Sequence, residues 1–274
     1  MKKALIFGAG GFGSYYLNHQ NKYNILAVVD NNPQKEGSYI DGVEVILPKN
    51  ISQYEYEYIV IASTFSQEIH QQLIEMGIPE ESIILPSKRE LKKNTNAFEK
   101  IETRTMAKQV LVRLCKELDR LNLSYWIDYG TLLGIVRDKD LIHWDDDLDI
   151  KILKSELPKL LEHIDDIVLI MNLPEVRWSY HVNKHYTGKL HSISFIVQEK
   201  DDTISDFNID LYLYEVDKEL DENHPLTRSA PYYLKENRIE FEGYLFNAPN
   251  NVEDYLKLWY GDWEKPKKDV QIIL

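Results

Sequence analysis

The chain has 274 residues, 43% of them apolar, and a formal net charge of −13. That is enough chain for two modest domains with ordinary cores, and it leaves no basic footprint of the kind nucleic-acid binding requires. The one cysteine excludes an intrachain disulfide, and no apolar run approaches the length needed to span a bilayer.

The N-terminal lysines and their short apolar run meet glycines at 8–13, too early for a signal peptide, so a cytoplasmic protein is expected. Lys3-Ala4-Leu5-Ile6-Phe7 reads as a buried strand. It runs into Gly8-Ala9-Gly10-Gly11-Phe12-Gly13, a GxGxxG at a strand-to-helix junction. Ile25-Leu26-Ala27-Val28-Val29 is a second strand, ending in Asp30. That acid lies 17 residues after Gly13, about where a Rossmann fold contacts a ribose hydroxyl. Val43-Glu44-Val45-Ile46, Tyr58-Ile59-Val60-Ile61-Ala62 and Ile83-Ile84-Leu85 supply further strands, and 66–76 reads as a helix closed by Gly77. Residues 1–87 thus read as a short parallel sheet with helices on both faces. Gly8, Gly10, Gly13 and Asp30 are its candidate nucleotide ligands. The glycine turn with Asp30-Asn31-Asn32-Pro33 resembles the N-terminal domains of PglD-type sugar acetyltransferases, which bind a UDP-sugar. A structural or dimerising domain that keeps the turn for packing is the equal alternative, and homo-oligomers stay open. A complete NAD dehydrogenase is disfavoured, because the stretch is too short for both mononucleotide halves.

Residues 88–98 are polar and charged and read as a linker, leaving 99–274 as a second domain. Residues 105–121 carry apolar positions at helical spacing without Pro or Gly, with Cys115 in that pattern as a core thiol. Tyr125-Trp126-Ile127 is a strand, and Gly130 to Val136 a short helix. In Trp144-Asp145-Asp146-Asp147-Leu148-Asp149-Ile150 four carboxylates fall within five positions. Like charges this close repel and raise one another's pKa, and a divalent cation removes that cost. On a strand, Asp147 and Asp149 project from one face with Cα atoms roughly 6.5–7 Å apart, close enough to share Mg²⁺ or Mn²⁺. Upstream, Gly130-Thr131 allows close backbone approach at a helix N-terminus, where unpaired N–H groups suit a phosphate. Phe207 to Tyr214 alternates as a strand and offers Asp210 as third carboxylate. Arg137 is a candidate phosphate clamp, with Lys139 beside it. Asp128 is placed to hold the Gly130 turn, and Asp145 and Asp146 to bind a second metal or cap the loop. The His- and Lys-dense stretch 180–191 offers Lys184, His185 and Lys189 for donor phosphate or acceptor glycan. Zinc is a minor alternative there, because no Cys or carboxylate stands at the usual ligand spacing.

Asp128-Tyr129-Gly130-Thr131-Leu132-Leu133-Gly134, Arg137, the acidic block and Val252-Glu253-Asp254-Tyr255-Leu256-Lys257-Leu258-Trp259-Tyr260-Gly261-Asp262-Trp263 stand in the order found in the LicD family, which the chain resembles from about residue 105 to about 266. The family comprises phosphocholine transferases of bacterial surface glycans and is related to fukutin-type ribitol-phosphate transferases. Thr131 stands where the wider superfamily favours Ser, and it keeps the hydroxyl. The resemblance implies an α+β nucleotidyltransferase-like fold with a mixed sheet for the second domain, which with the short Rossmann-like first domain makes an α/β chain. It implies metal-dependent transfer of phosphocholine or a related phospho-alcohol from a CDP-alcohol donor to a sugar hydroxyl of a surface glycan or glycolipid. Asp147, Asp149 and Asp210 would hold the metal, and Asp210, or failing it Asp149, would double as general base. The same carboxylates suit a nucleotidyltransferase that consumes CTP and releases pyrophosphate, and a non-catalytic nucleotide-binding scaffold is a third reading. The aromatic residues of 255–263 have core spacing, and some are candidates to enclose a quaternary ammonium. A basic patch at 265–268 suits weak contact with the inner membrane surface.

Overall fold

In a computed structural model the chain forms two compact units, Met1–Asn94 and Thr95–Lys268. The structure describes all residues except 64, 92–95, 185–188, 216–224, 236 and 267–274. Among the described residues no helix is long and apolar enough to cross a membrane.

The first unit contains β1 (Lys2–Phe7), α1 (Gly11–His19), β2 (Tyr23–Val29), β3 (Tyr39–Ile40), β4 (Val43–Ile46), β5 (Tyr58–Ile61), α2 (Ser66–Glu75), β6 (Ile83–Ile84) and α3 (Lys88–Leu91). Its sheet runs β3-β4-β2-β1-β5-β6. All pairings are parallel except the β3–β4 hairpin. That hairpin turns on Asp41 and Gly42, both at positive φ, as a two-residue turn with right-handed strand twist requires. Side chains alternate across each strand. Leu5, Phe7, Ala27, Val29, Ile59 and Ile61 pack on one face with Ile69 and Leu73 of α2. Ala4, Ile6, Val28 and Val60 pack on the other with Tyr16 of α1. A sheet covered on both faces explains why these strands read as continuous apolar runs.

The second unit contains α4 (Ile101–Arg120), β7 (Tyr125–Ile127), α5 (Tyr129–Arg137), β8 (Asp147–Leu153), α6 (Leu157–Glu162), α7 (Ile164–Met171), β9 (Val176–Lys184), β10 (Leu190–Lys200), β11 (Asn208–Tyr214), α8 (Pro225–Ser229), β12 (Arg238–Phe241), β13 (Tyr244–Asn247) and α9 (Val252–Tyr260). Its main sheet, β7-β8-β11-β10-β9, is mixed: β8–β11 is parallel and the other pairs are antiparallel. Helix α4 buries Met106, Val110, Leu111, Leu114, Cys115 and Leu118, one stripe at three- and four-residue spacing. It begins at Ile101, four residues before the start that apolar spacing indicates. Those residues are held by a tertiary contact, the Ser205 N–H donating to Thr103 Oγ1 at 2.9 Å, which local periodicity does not encode. Asn122, at φ 49°, ends the helix in the left-handed region that asparagine tolerates.

Candidate metal centre

The site is built on the junction β7–α5 and on the paired strands β8 and β11. Asp128 leaves β7 extended and caps α5, accepting the Tyr129 N–H at 2.7 Å. Tyr129 takes the left-handed conformation, φ 44°. Thr131 Oγ1 accepts the Asp149 N–H at 2.8 Å, locking helix to strand, and the Gly130 N–H donates to Asp149 Oδ2 at 3.3 Å. A Cβ on Gly130 would lie 2.6 Å from Asp145 Oδ2, so only glycine lets the carboxylates stand against this helix end. A Cβ on Gly134 would lie 2.8 Å from the Asp140 carbonyl, where the loop returns along α5.

Parallel register sets Asp149 opposite Asp210, and Asp147 opposite Asn208. One carboxylate oxygen each from Asp147, Asp149 and Asp210 lies within 4.8 Å of the others, and Asp145, Asp146 and Asp147 form a second such group. Oxygens bound octahedrally to Mg²⁺ are about 2.9–4.2 Å apart, given Mg–O distances of 2.0–2.1 Å. The first group fits that with small side-chain movement. Ser194 donates to Asp210 Oδ1, and Asn183 Nδ2 donates to Ser194 Oγ at 2.7 Å, so β9 and β10 orient the third carboxylate. Tyr212 stands in the same face. Burial, then the charges of Asp149, Asp210 and Asp147, push its phenol well above the ordinary range.

Behind the carboxylates lies a buried polar cluster. Lys151 follows Asp147 and Asp149 on the same strand face, two residues on. Its side chain is 3% exposed, and Nζ lies 2.9 Å from Asp128 Oδ2, whose side chain is 0% exposed. Lys151 Nζ donates to Tyr233 Oη at 2.8 Å. Tyr233 and Tyr255 hydroxyls donate to the two Asp128 oxygens at 2.8 and 2.6 Å. The Lys151 ammonium stands 4.6 Å from the Tyr129 ring centroid, 5.1 Å from Tyr233, 5.2 Å from Trp259 and 5.7 Å from Tyr214. Burial pulls this ammonium below its ordinary value, with Asp128 and Asp149 resisting.

Residues 122–251 match the LicD/FKTN/FKRP nucleotidyltransferase domain, and that span contains α5, β8, β11 and every one of the clustered carboxylates. This stretch, just under half of the chain, is thus similar to the LicD family. Residues 1–84 match a second domain, described as C2185-like, N-terminal. The chain is 27% identical over 175 residues to the human "Ribitol-5-phosphate transferase FKTN", covering 62% of this chain and 32% of that protein. It is 45% identical over 58 residues to "Uncharacterized protein RP689" of Rickettsia prowazekii, 21% of this chain and 18% of that one. The chain therefore spans about a third or less of the length of these curated relatives. Among solved structures, UDP-D-quinovosamine 4-dehydrogenase from Vibrio fischeri aligns with 20% identity and a TM-score of 0.26, covering 31% of this chain and 75% of that one.

Other residues of the second unit fall differently from expectation. Arg137 is no open phosphate clamp: its Nε and Nη2 each donate to Asp138 at 2.7 Å, and its side chain is 7% exposed. An adjacent carboxylate fills the fork that a phosphate would take. Lys139 caps the C-terminal end of α5, donating from Nζ to the Val136 carbonyl at 3.0 Å. It lines a cavity of about 500 Å³ with Val136, Ile239, Phe241 and Val252, at the opposite end of the helix from Gly130. Lys184 and Lys189 are exposed at the β9–β10 turn, and His185 lies outside the described residues. Leu190, where β10 begins, is four residues along the strand from Ser194 opposite Asp210, about 13 Å away. Tyr255 and Trp259 are core residues, as their spacing indicates. The rings around Lys151 already enclose a cation of the protein itself. Lys265 pairs with Asp262 at 2.7 Å, while 267–268 lie outside the described residues.

In the first unit, Gly8 has φ +126°, and a Cβ there would lie 2.3 Å from the Ala62 carbonyl oxygen. A Cβ on Gly13 would lie 1.8 Å from the Gly8 carbonyl oxygen, whereas one on Gly10 would meet open space. Two of the three motif glycines thus serve packing. Asp30 differs from its expected role too. Its Oδ2 accepts the Ala9 N–H at 2.8 Å and pairs with Lys35 Nζ at 2.9 Å, and its Oδ1 accepts the Asn32 N–H. Lys35 Nζ also donates to the Ala9 carbonyl at 2.9 Å. The acid and the lysine clasp the glycine turn, so the carboxylate is spent on the loop instead of facing a ribose.

Proposed function

We propose that the LicD domain transfers a phospho-alcohol from a CDP-activated donor to a hydroxyl of a glycan or glycolipid, with Mg²⁺ or Mn²⁺ held by Asp147, Asp149 and Asp210. The observation that carries this reading is the convergence of those three carboxylates against the N-terminal end of α5. A bound divalent cation supplies charge neutralisation for the diphosphate and for the leaving CMP. The protein's own contribution is positioning and electrostatics, as suits phosphoryl transfer. Gly130 and Thr131 hold Asp149 at the helix end, Ser194 steadies Asp210, and Asp210 accepts the proton of the attacking hydroxyl. The rings of Tyr129, Tyr214, Tyr233 and Trp259 surround Lys151 and so do not serve a quaternary ammonium. The transferred alcohol is read elsewhere in this proposal, and choline and a polyol are tested on equal terms.

The test incubates the full chain with CDP-choline or CDP-ribitol, with and without Mg²⁺, and measures CMP. Metal-dependent CMP release is expected. Asp147→Ala should lower it at least about a hundred-fold, the scale of losing a principal electrostatic contributor, while the circular dichroism spectrum stays unchanged. CMP release indifferent to Mg²⁺ and to Asp147→Ala would refute the metal assignment. Pyrophosphate released from CTP, with no CMP from either donor, would replace the transferase reading with nucleotidyl transfer.

A further inference from the structure

Helix α9 ends in a tyrosine whose position the proposed chemistry leaves unexplained. The Tyr260 hydroxyl oxygen is buried and has no hydrogen-bond partner among the described residues. Native structures rarely leave a buried hydroxyl unpaired without a reason. Helix α9 is tied to the start of α5 by two of its side chains. Tyr255 donates to Asp128, the cap of α5, at 2.6 Å. Trp259 packs with its ring centroid 5.8 Å from that of Tyr129, the first residue of α5. The charged neighbours of the Tyr260 phenol are Asp149, Asp128 and Asp145, and these, after burial itself, keep the hydroxyl protonated. It is therefore a hydrogen-bond donor. Asp149 turns Oδ2 to the Gly130 N–H, and the phenol makes no bond to it. No carboxylate oxygen of this corner accepts from it, and a phosphate at the carboxylates would bring further acceptor oxygens.

We infer that Tyr260 is a substrate-contacting residue, its hydroxyl donating to a non-bridging phosphate oxygen of the nucleoside diphosphate held at Asp147, Asp149 and Asp210. The inference rests on the metal-dependent reading of that site. No bond is made or broken by Tyr260; its contribution is binding and orientation. Because no described residue pairs with the hydroxyl, its removal strands no partner among them, whereas a purely structural role predicts a loss of stability.

The experiment compares the 274-residue wild-type chain with Tyr260→Phe. Mn²⁺ binding is read by electron paramagnetic resonance. CDP binding in the presence of Mn²⁺ is read by isothermal titration calorimetry, and ligand-free melting by tryptophan fluorescence. The variant should bind Mn²⁺ alone within about twofold of the wild type and melt at the same temperature or higher. It should bind CDP about ten- to a hundred-fold more weakly, the range for losing one hydrogen bond to a charged group. Equal CDP affinity in the two proteins would overturn the inference and leave the metal site standing, as it would if the hydroxyl met only a water molecule. A lower ligand-free melting temperature with parallel loss of Mn²⁺ binding would also overturn it, by assigning Tyr260 to the fold. A wild type that binds Mn²⁺ but no CDP would defeat the diphosphate-donor reading, and this inference with it.

Discussion

Replacing Lys151 by methionine tests the buried cluster behind the carboxylates. The Lys151–Asp128 pair is 2.9 Å long, with side chains 3% and 0% exposed. Removing one partner of such a pair costs about 3–5 kcal/mol, because the other charge is left buried. Asp128 keeps three donors, from Tyr129, Tyr233 and Tyr255, which places the loss near the lower figure. About 3 kcal/mol corresponds to a fall of roughly 6–12 °C in melting temperature for a domain of this size. All five tryptophans lie in the second unit, so their fluorescence follows its unfolding separately from the first. Asp128→Asn alone should cost a similar amount, by stranding the lysine. The double variant, with no buried charge, should lose at least about 2 kcal/mol less than the sum. Two single losses that add within about 0.5 kcal/mol, or a Lys151→Met protein that melts like the wild type, would refute the pairing argument.

Gly13→Ala should destabilise the first unit by about 1–3 kcal/mol, the usual cost of overpacking, because its Cβ would fall 1.8 Å from the Gly8 carbonyl oxygen. Gly10→Ala, with open space around its Cβ, should change stability by less than about 1 kcal/mol; urea unfolding followed by far-ultraviolet circular dichroism compares the two. Asp140 binds Arg104 at 3.1 Å and Lys108 at 3.2 Å. Burial raises its carboxyl pKa, but the Leu141 N–H, Lys108 and Arg104 outweigh burial and hold it below the ordinary value. A depressed carboxyl stabilises the fold above its unfolded pKa of about 3.9 and loses that contribution as pH falls through the folded value. Asp140→Asn should therefore melt below the wild type at pH 7, and the difference should close below about pH 4. A difference that persists unchanged at pH 3 would show that charge is not the cause.

Local chemistry made much of this protein legible from sequence. Apolar runs of four or five residues located the buried strands of the first sheet, because a strand covered on both faces needs no alternation. The spacing Asp147-Leu148-Asp149 put two carboxylates on one face through the period of a strand, and Asp210 was found by the same alternation. The pairing of Asp149 with Asp210 came from the parallel register of β8 and β11, which no local period encodes. Tertiary structure also decided what each charge is spent on. Arg137 has the right chemistry for phosphate, but Asp138 lies within reach of both its N–H groups. Asp30 has the right spacing for a ribose, but Lys35 and the Ala9 N–H take its carboxylate. Lys151 gave one sequence signal, a charge in line with Asp147 and Asp149 in a buried strand. Its partners Asp128, Tyr233 and Tyr255 lie on three other elements. Side-chain type and local period limit what a residue can do. Hydrogen bonds and ion pairs act over about 3 Å, so the partner it meets depends on which distant segments the fold brings within that range.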